Sequence, residues 1–228
     1  MNYLLSVCLV ALALATNVTP YASAQSPAMR QGVSVQMART ANATPMPDAD
    51  NHDAWIVAVA ADGGIYFGMD AVDPEGLAIE MKSRPRNREQ KLYIKADARA
   101  SFGLLEKVLS AAKRDRFESA VLLTNQNETP ALGKLVAPKG LEVLLTSAPS
   151  DAVIVELHNS GQPRHALKVN NQEIAWSDLQ TALNQSLQNR SDRVVEIKAE
   201  GSLPFAQVAQ VIDACSSIKA KVVLPAEE

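Results

Sequence analysis

Four groups of side chains in this 228-residue sequence have types and spacings that could do chemistry. The run Asp48-Ala49-Asp50-Asn51-His52-Asp53 offers oxygen and imidazole ligands to a cation. It lacks the glycine and distal glutamate of a calcium-binding loop, so it reads as a solvated acidic segment. His158 and His165 flank the turn Asn159-Ser160-Gly161 and could approach each other across a hairpin. No third ligand accompanies them, and solvated imidazoles beside a turn are the plainer expectation. Cys215 lies on an apolar helical stripe, where a thiol behaves as a small hydrophobe unless a base or a positive neighbour activates it. Asp97 and Glu200 each follow a strand and precede a helix. A carboxylate there can cap free backbone N–H groups or meet a partner, which makes these two the candidate partner-contact or helix-capping positions.

No Walker loop, dinucleotide fingerprint, Gly-x-Ser-x-Gly elbow or zinc spacing occurs in the chain. The expectation is therefore a non-enzymatic protein with no catalytic, cofactor-binding or metal-ligating residue. A formal net charge of −3 without a Lys/Arg run argues against a dedicated nucleic-acid surface or a polybasic membrane patch. Hydrophobic residues make up 47% of the chain, enough to build a packed core.

Residues 4–15 form an apolar run without charge, followed by Pro20 and then by Ala22-Ser23-Ala24 before Gln25. Small residues at both ends of that triplet fit a cleavage site, so residues 1–24 read as a signal peptide that exports the rest. The run is well short of the roughly 20 residues needed to span a bilayer. Cys8 falls inside it, and its removal leaves Cys215 without a disulfide partner. Residues 25–50 carry no sustained apolar period and read as a flexible tether.

Beyond the tether the pattern predicts two modules of the order β-β-α-β-α-β. In the first, over residues 51–125, strands at 55–60 and 65–67 flank the turn Asp62-Gly63-Gly64. Asp73-Pro74 opens a helix, the acid as cap and the proline at the first helical position, and Pro85 ends it. A strand at 91–95, a helix at 101–114 and a strand at 120–124 complete it. The second module, over residues 151–228, has strands at 152–157 and 165–169 and a helix at 177–188. Ser177 stands three residues before Gln180, the spacing of a capping box. Residues 126–150 read as a linker with room for a short strand at 141–145. Trp55 and Trp176 are expected to pack between sheet and helix.

The repetition is quantitative. Lys95-Ala96-Asp97 is matched by Lys198-Ala199-Glu200, and Phe102 by Phe205, at an offset of 103 residues. Leu105, Val108, Leu109 and Ala112 are matched by Val208, Val211, Ile212 and Cys215 at the same offset. The i, i+3, i+4, i+7 spacing gives both helices one apolar stripe, with Phe102 and Phe205 as core anchors. The fold class expected is α+β, each module a small mixed sheet with two helices packed on one face.

At these residues the chain resembles the periplasmic domain of the ExbD/TolR family. The stretch Val194-Val195-Glu196-Ile197-Lys198-Ala199-Glu200, continued by Leu203-Pro204-Phe205, is the nearer copy, and the first has Ser101 in place of the proline. The resemblance implies small periplasmic domains that dimerise and serve proton-driven inner-membrane motors. Implied partners are motor-channel or TonB-like envelope proteins, or peptidoglycan. Family members carry a transmembrane helix with an ionisable Asp, whereas residues 4–15 contain none, so proton conduction by this chain is not expected. Two functions follow as expectations: an envelope interaction module accessory to biopolymer transport or energy transduction or bound to the cell wall, and a structural or assembly protein of the periplasm that reuses the fold. At roughly 3 to 5 kcal/mol for a lone core of this size, the two modules are expected to pack as an intramolecular pseudo-dimer.

Overall fold

A computed structural model of the chain describes residues 33–87, 89–126, 136–161 and 165–226. The segment expected to be a signal peptide lies outside the described residues. No helix among the described residues is long and apolar enough to cross a membrane.

The first hairpin forms where its turn residues require it. Strands β2 (Trp55–Val59) and β3 (Ile65–Phe67) pair antiparallel. They are joined through Gly63 at φ 95°, and the Asp62 carboxylate accepts from the Gly64 N–H at 3.1 Å. Gly68, at φ 65°, then turns the chain into a third strand, β4 (Asp70–Val72), which the pattern β-β-α-β-α-β had not included. Asp73 caps α1 (Pro74–Ser83) by accepting from the Gly76 N–H. Arg84 is extended, as a residue before proline must be, and the helix stops there. Strand β5 (Leu92–Ala96), helix α2 (Phe102–Arg114) and strand β6 (Ser119–Thr124) follow.

The second half runs through β8 (Val153–His158), β9 (Ala166–Val169) and β10 (Gln172–Ile174). It continues with α3 (Leu179–Leu187), β11 (Val194–Ala199), α4 (Phe205–Ser217) and β12 (Lys221–Val223). Here too a third strand is added. Asn170 and Asn171, at φ 47° and 67°, form the two-residue turn that β9 and β10 need. The capping box at α3 does not form. Residues Trp176–Asp178 make a 3-10 turn, the Ser177 hydroxyl lies 3.1 Å from the Asp178 carboxylate, and the Gln180 amide reaches Ser217 at 3.1 Å.

Two separate small sheets were expected, and the described residues form one 12-stranded mixed sheet with four α-helices. Strand β7 (Lys139–Leu144), within the expected linker, joins the halves. It pairs antiparallel with β6 over six residue pairs and parallel with β12 through the single pair Leu144 and Val223. Leu141, Val143 and Leu145 are buried there, which is why an apolar stretch amid polar residues becomes a strand.

Buried side chains of all four helices enter one apolar cluster. Both matching stripes, Leu105, Val108, Leu109 and Ala112 with Val208, Val211, Ile212 and Cys215, lie within it. Each fully buried Val, Leu or Ile there contributes about 1.5–3 kcal/mol. Because strand side chains alternate, Tyr93, Val121 and Leu123 point to the opposite face and meet Ala49 in a smaller cluster.

Within the expected tether the chain is held from Gln36 onward wherever its backbone finds partners. The Ala98 N–H donates to the Gln36 carbonyl at 2.7 Å, the Asn125 N–H to that of Ala38 at 2.8 Å, and the Thr40 N–H to that of Asn125 at 3.0 Å. Ala38 is buried. The strap then reaches α4, where the Asp213 carboxylate accepts from the N–H groups of Ala41 and Asn42, the latter at 2.7 Å. Strand β1 (Thr44–Pro45) ends on β7. A short polar strand without alternation leaves no period in sequence, which is why this segment read as unstructured.

Candidate functional site

Strands β5 and β11 leave the sheet in the same way. The Asp97 N–H donates to the Val59 carbonyl at 2.8 Å, and the Glu200 N–H to that of Leu157 at 3.1 Å. Each acidic residue then accepts at its own carbonyl from the residue three positions on, Ala100 or Leu203, at 3.0 Å. That turn delivers the chain to the helix.

Neither carboxylate caps the helix that follows it. The first N–H groups of each helix go instead to carbonyls of the other half. Phe102 N–H donates to Leu203 at 2.8 Å and Phe205 N–H to Ala100 at 2.8 Å, while Gly103 N–H donates to Gly201 and Ala206 N–H to Ala98, both at 2.9 Å. Adding 103 to the number of a first-half donor and subtracting 103 from that of its acceptor gives the reciprocal bond. Ser101 and Pro204, the residues before the two helices, face each other in an isolated antiparallel bridge and make no side-chain cap of their own. Helix N-termini leave such donors without intrahelical partners, and here the two halves satisfy each other's. Proline is tolerated at 204 because the crossing bonds run through its neighbours. A Cβ on Gly201 would stand 3.2 Å from the Gly103 Cα, so the backbones meet where neither carries a side chain. Phe102 and Phe205, next to the bridge, are buried as core anchors.

The two acids differ in what surrounds them. Asp97 is 2% exposed. Its carboxylate accepts from the Gln36 N–H at 2.9 Å, from the Arg99 N–H at 3.0 Å, and from the Arg99 guanidinium at 2.9 and 3.1 Å. The Arg99 side-chain bonds, assisted by the two backbone donors, outweigh burial and hold this carboxyl far below the usual carboxylate range. Glu200 has a side chain 45% exposed. It accepts from the Asn159 N–H at 3.1 Å and meets His158 Nδ1 at 3.2 Å. Those two contacts, the backbone donor first, lower its pKa.

The remaining candidates separate. His158 turns to Glu200 and, at 3.9 Å, to Glu156, and it pairs across the hairpin with Ala166 rather than with His165. His165 keeps Nδ1 buried without a partner among the described residues, and its carbonyl accepts from Trp176 Nε1 at 2.9 Å. Among the described residues no three His, Cys, Asp or Glu side chains gather around a cation position. The 48–53 run is partly a 3-10 helix, Pro47–Asp50. Cys215 is fully buried, and burial pushes its thiol up to about 12. Trp55 is buried against Phe67 and Phe117, with ring centroids 5.2 and 5.8 Å away.

Sequence reasoning missed Arg99, Gln36, Asp213, His158 as a partner of Glu200, and Asn159. Arg99 had a signal: the repeat pairs it with Ser202, so the cation beside one acid is absent beside the other. Asp213 had none, because its partners lie 171 and 172 residues away.

Compared with known proteins, the chain matches the family model described as biopolymer transport protein ExbD/TolR over residues 4–127 and again over residues 131–226. No curated protein and no solved structure matches it. Two matches in succession that cover nearly all of the sequence place the chain in the ExbD/TolR biopolymer transport protein family.

Proposed function

We propose that this protein is an exported interaction module of the cell envelope, made of two fused ExbD/TolR-like modules that serve biopolymer transport or energy transduction without conducting protons. The reciprocal capping of α2 and α4 carries this reading. A family whose modules dimerise is here represented by a chain that joins two module-like halves through matched bonds, so one polypeptide supplies both sides of the pair. The absence of a carboxylate from residues 4–15 supports an accessory role rather than a proton-coupled one. Residues 1–24 serve as a cleaved export signal, and the folded part works in the periplasm.

Cross-linking in intact envelopes followed by affinity capture tests the reading. Motor-channel or TonB-like proteins, or peptidoglycan fragments, are expected with the captured chain. Recovery of none of them would sink the interaction role and favour a structural protein that reuses the fold. Fractionation and the mass of the mature N-terminus test export.

A further inference from the structure

The strap fills a slot beside Asp97 whose counterpart beside Glu200 is empty among the described residues. In the first half Met37 forms an antiparallel bridge with Asp97, the Gln36 carbonyl takes the Ala98 N–H, and the Asp97 carboxylate takes the Gln36 N–H. The equivalent residues are Glu200 and Gly201. Their backbone bonds to the sheet and to the helix turn repeat those of Asp97 and Ala98 one for one. No described residue accepts from the Gly201 N–H, and no strand bridges Glu200. Among the described residues no Arg or Lys pairs with Glu200 either. Arg99, which grips Asp97 with two guanidinium bonds, is replaced by Ser202. Among the described residues His158 stands beside Glu200, with Glu156 behind it, and His165 lies near enough to act on its charge, so Glu200 is left without a guanidinium or ammonium partner there.

We propose that Glu200 and Gly201 receive an extended segment of a partner polypeptide that carries an arginine or lysine. The proposal rests on the interaction-module reading and locates its contact. The occupant does from outside what the strap and Arg99 do in the first half. Its carbonyl accepts from the Gly201 N–H, its own N–H donates to the Glu200 carboxylate, and its cation pairs with that carboxylate. Glu200 retains lone pairs for this, since each carboxylate oxygen can accept twice. Asn159 and His158 hold the carboxylate in place. The second half is thus the binding copy, and the first is occupied by its own chain.

The probe is a labelled synthetic peptide of residues 33–42, which has the backbone chemistry of the strap and includes Arg39. Titrated into the full chain, it is expected to shift amide resonances at Gly201 and Asn159. Affinity is expected to fall about tenfold in Glu200→Gln and in Ser202→Arg, the latter because it installs the missing cation internally, and also when the peptide arginine becomes alanine. Both substituted positions are exposed, so thermal midpoints equal to the parent's are expected and confirm folding. Shifts centred on Asp97 and Ala98 would mean strap exchange and overturn the proposal. So would equal affinity in both variants, or no binding at millimolar peptide. Envelope capture that persists without peptide binding would reject this slot while leaving the interaction role in place.

Discussion

Ser101 and Pro204 oppose each other in an antiparallel bridge and occupy the same position in the two halves of the chain, 103 residues apart. A residue that faces its own counterpart sits on a local twofold relation. The four crossing bonds around this pair obey the same relation. Identical sequences are not required for it: serine on one side and proline on the other are compatible because neither position donates across the contact.

The close approach beside this bridge gives the first prediction. Gly201→Ala places a Cβ 3.2 Å from backbone carbon of Gly103, an obstacle that no side-chain rotation removes. Gly201 is not at positive φ, so the cost comes from the contact alone. A loss of about 1–3 kcal/mol in urea unfolding is expected. Gly103→Ala meets a comparable contact at 3.3 Å but gains about 1 kcal/mol of helix propensity, so it should destabilise less.

Asp97 gives a pH-dependent prediction. Its folded pKa is depressed, so the stabilisation it supplies is fully present above its unfolded value, near 4, and is lost as pH falls from there through the folded value. Asp97→Asn is expected to cost on the order of 2 kcal/mol at pH 7. The gap between parent and variant should narrow steadily below about pH 4. Unfolding curves at pH 7, 4 and 2.5 check this. A gap that stays constant across them would show that Asp97 acts through shape rather than charge.

Asp213 tests the strap without touching the core. Its carboxylate accepts from two backbone N–H groups and from the Asn42 side chain. Asp213→Ala should speed hydrogen exchange at Ala41 and Asn42 while leaving the amides of β5 and β6 protected. The global loss should be about 1–2 kcal/mol, because these charge-assisted bonds are solvent-exposed. Faster exchange throughout the sheet would mean that the strap is needed for the fold itself.

How much of this was legible depended on whether the signal was local. Asp73, Pro74 and Pro85 announced α1 because a cap, a first-turn proline and a terminator act within a few residues. The two stripes were legible because both helices bury them against the same kind of sheet. The turn Asn170-Asn171 carried a hairpin signal that went unread, and so β10 was missed. Strand β7 showed only its apolar residues, not that β6 and β12 would flank it. The crossing caps had no local signal, since serine or proline before a helix says nothing about a carbonyl 100 residues away. The site followed the same rule. The repeat singled out Asp97 and Glu200 as candidates, but their different environments arise from the distant strap and from the loop at Asn159.

The last prediction concerns what happens when the halves are separated. Residues 151–228 alone would lose the Ala100 and Ala98 carbonyls that receive the Phe205 and Ala206 N–H groups, and would expose apolar residues now shared in one cluster. Two buried donors left without partners cost about 2–6 kcal/mol together, comparable to the whole stability of a core this size, roughly 3 to 5 kcal/mol. Because the contact relates each residue to its counterpart, a second copy of the same fragment can supply Leu203 and Gly201 carbonyls in place of Ala100 and Ala98. Pro204 then faces Pro204, which the geometry allows since neither donates. Light scattering should therefore find the fragment dimeric and unfolding at a concentration-dependent temperature, while the full chain is monomeric at the same concentration. A fragment that is monomeric and as stable as the full chain would show that the crossing bonds contribute little and that the two halves are independent domains.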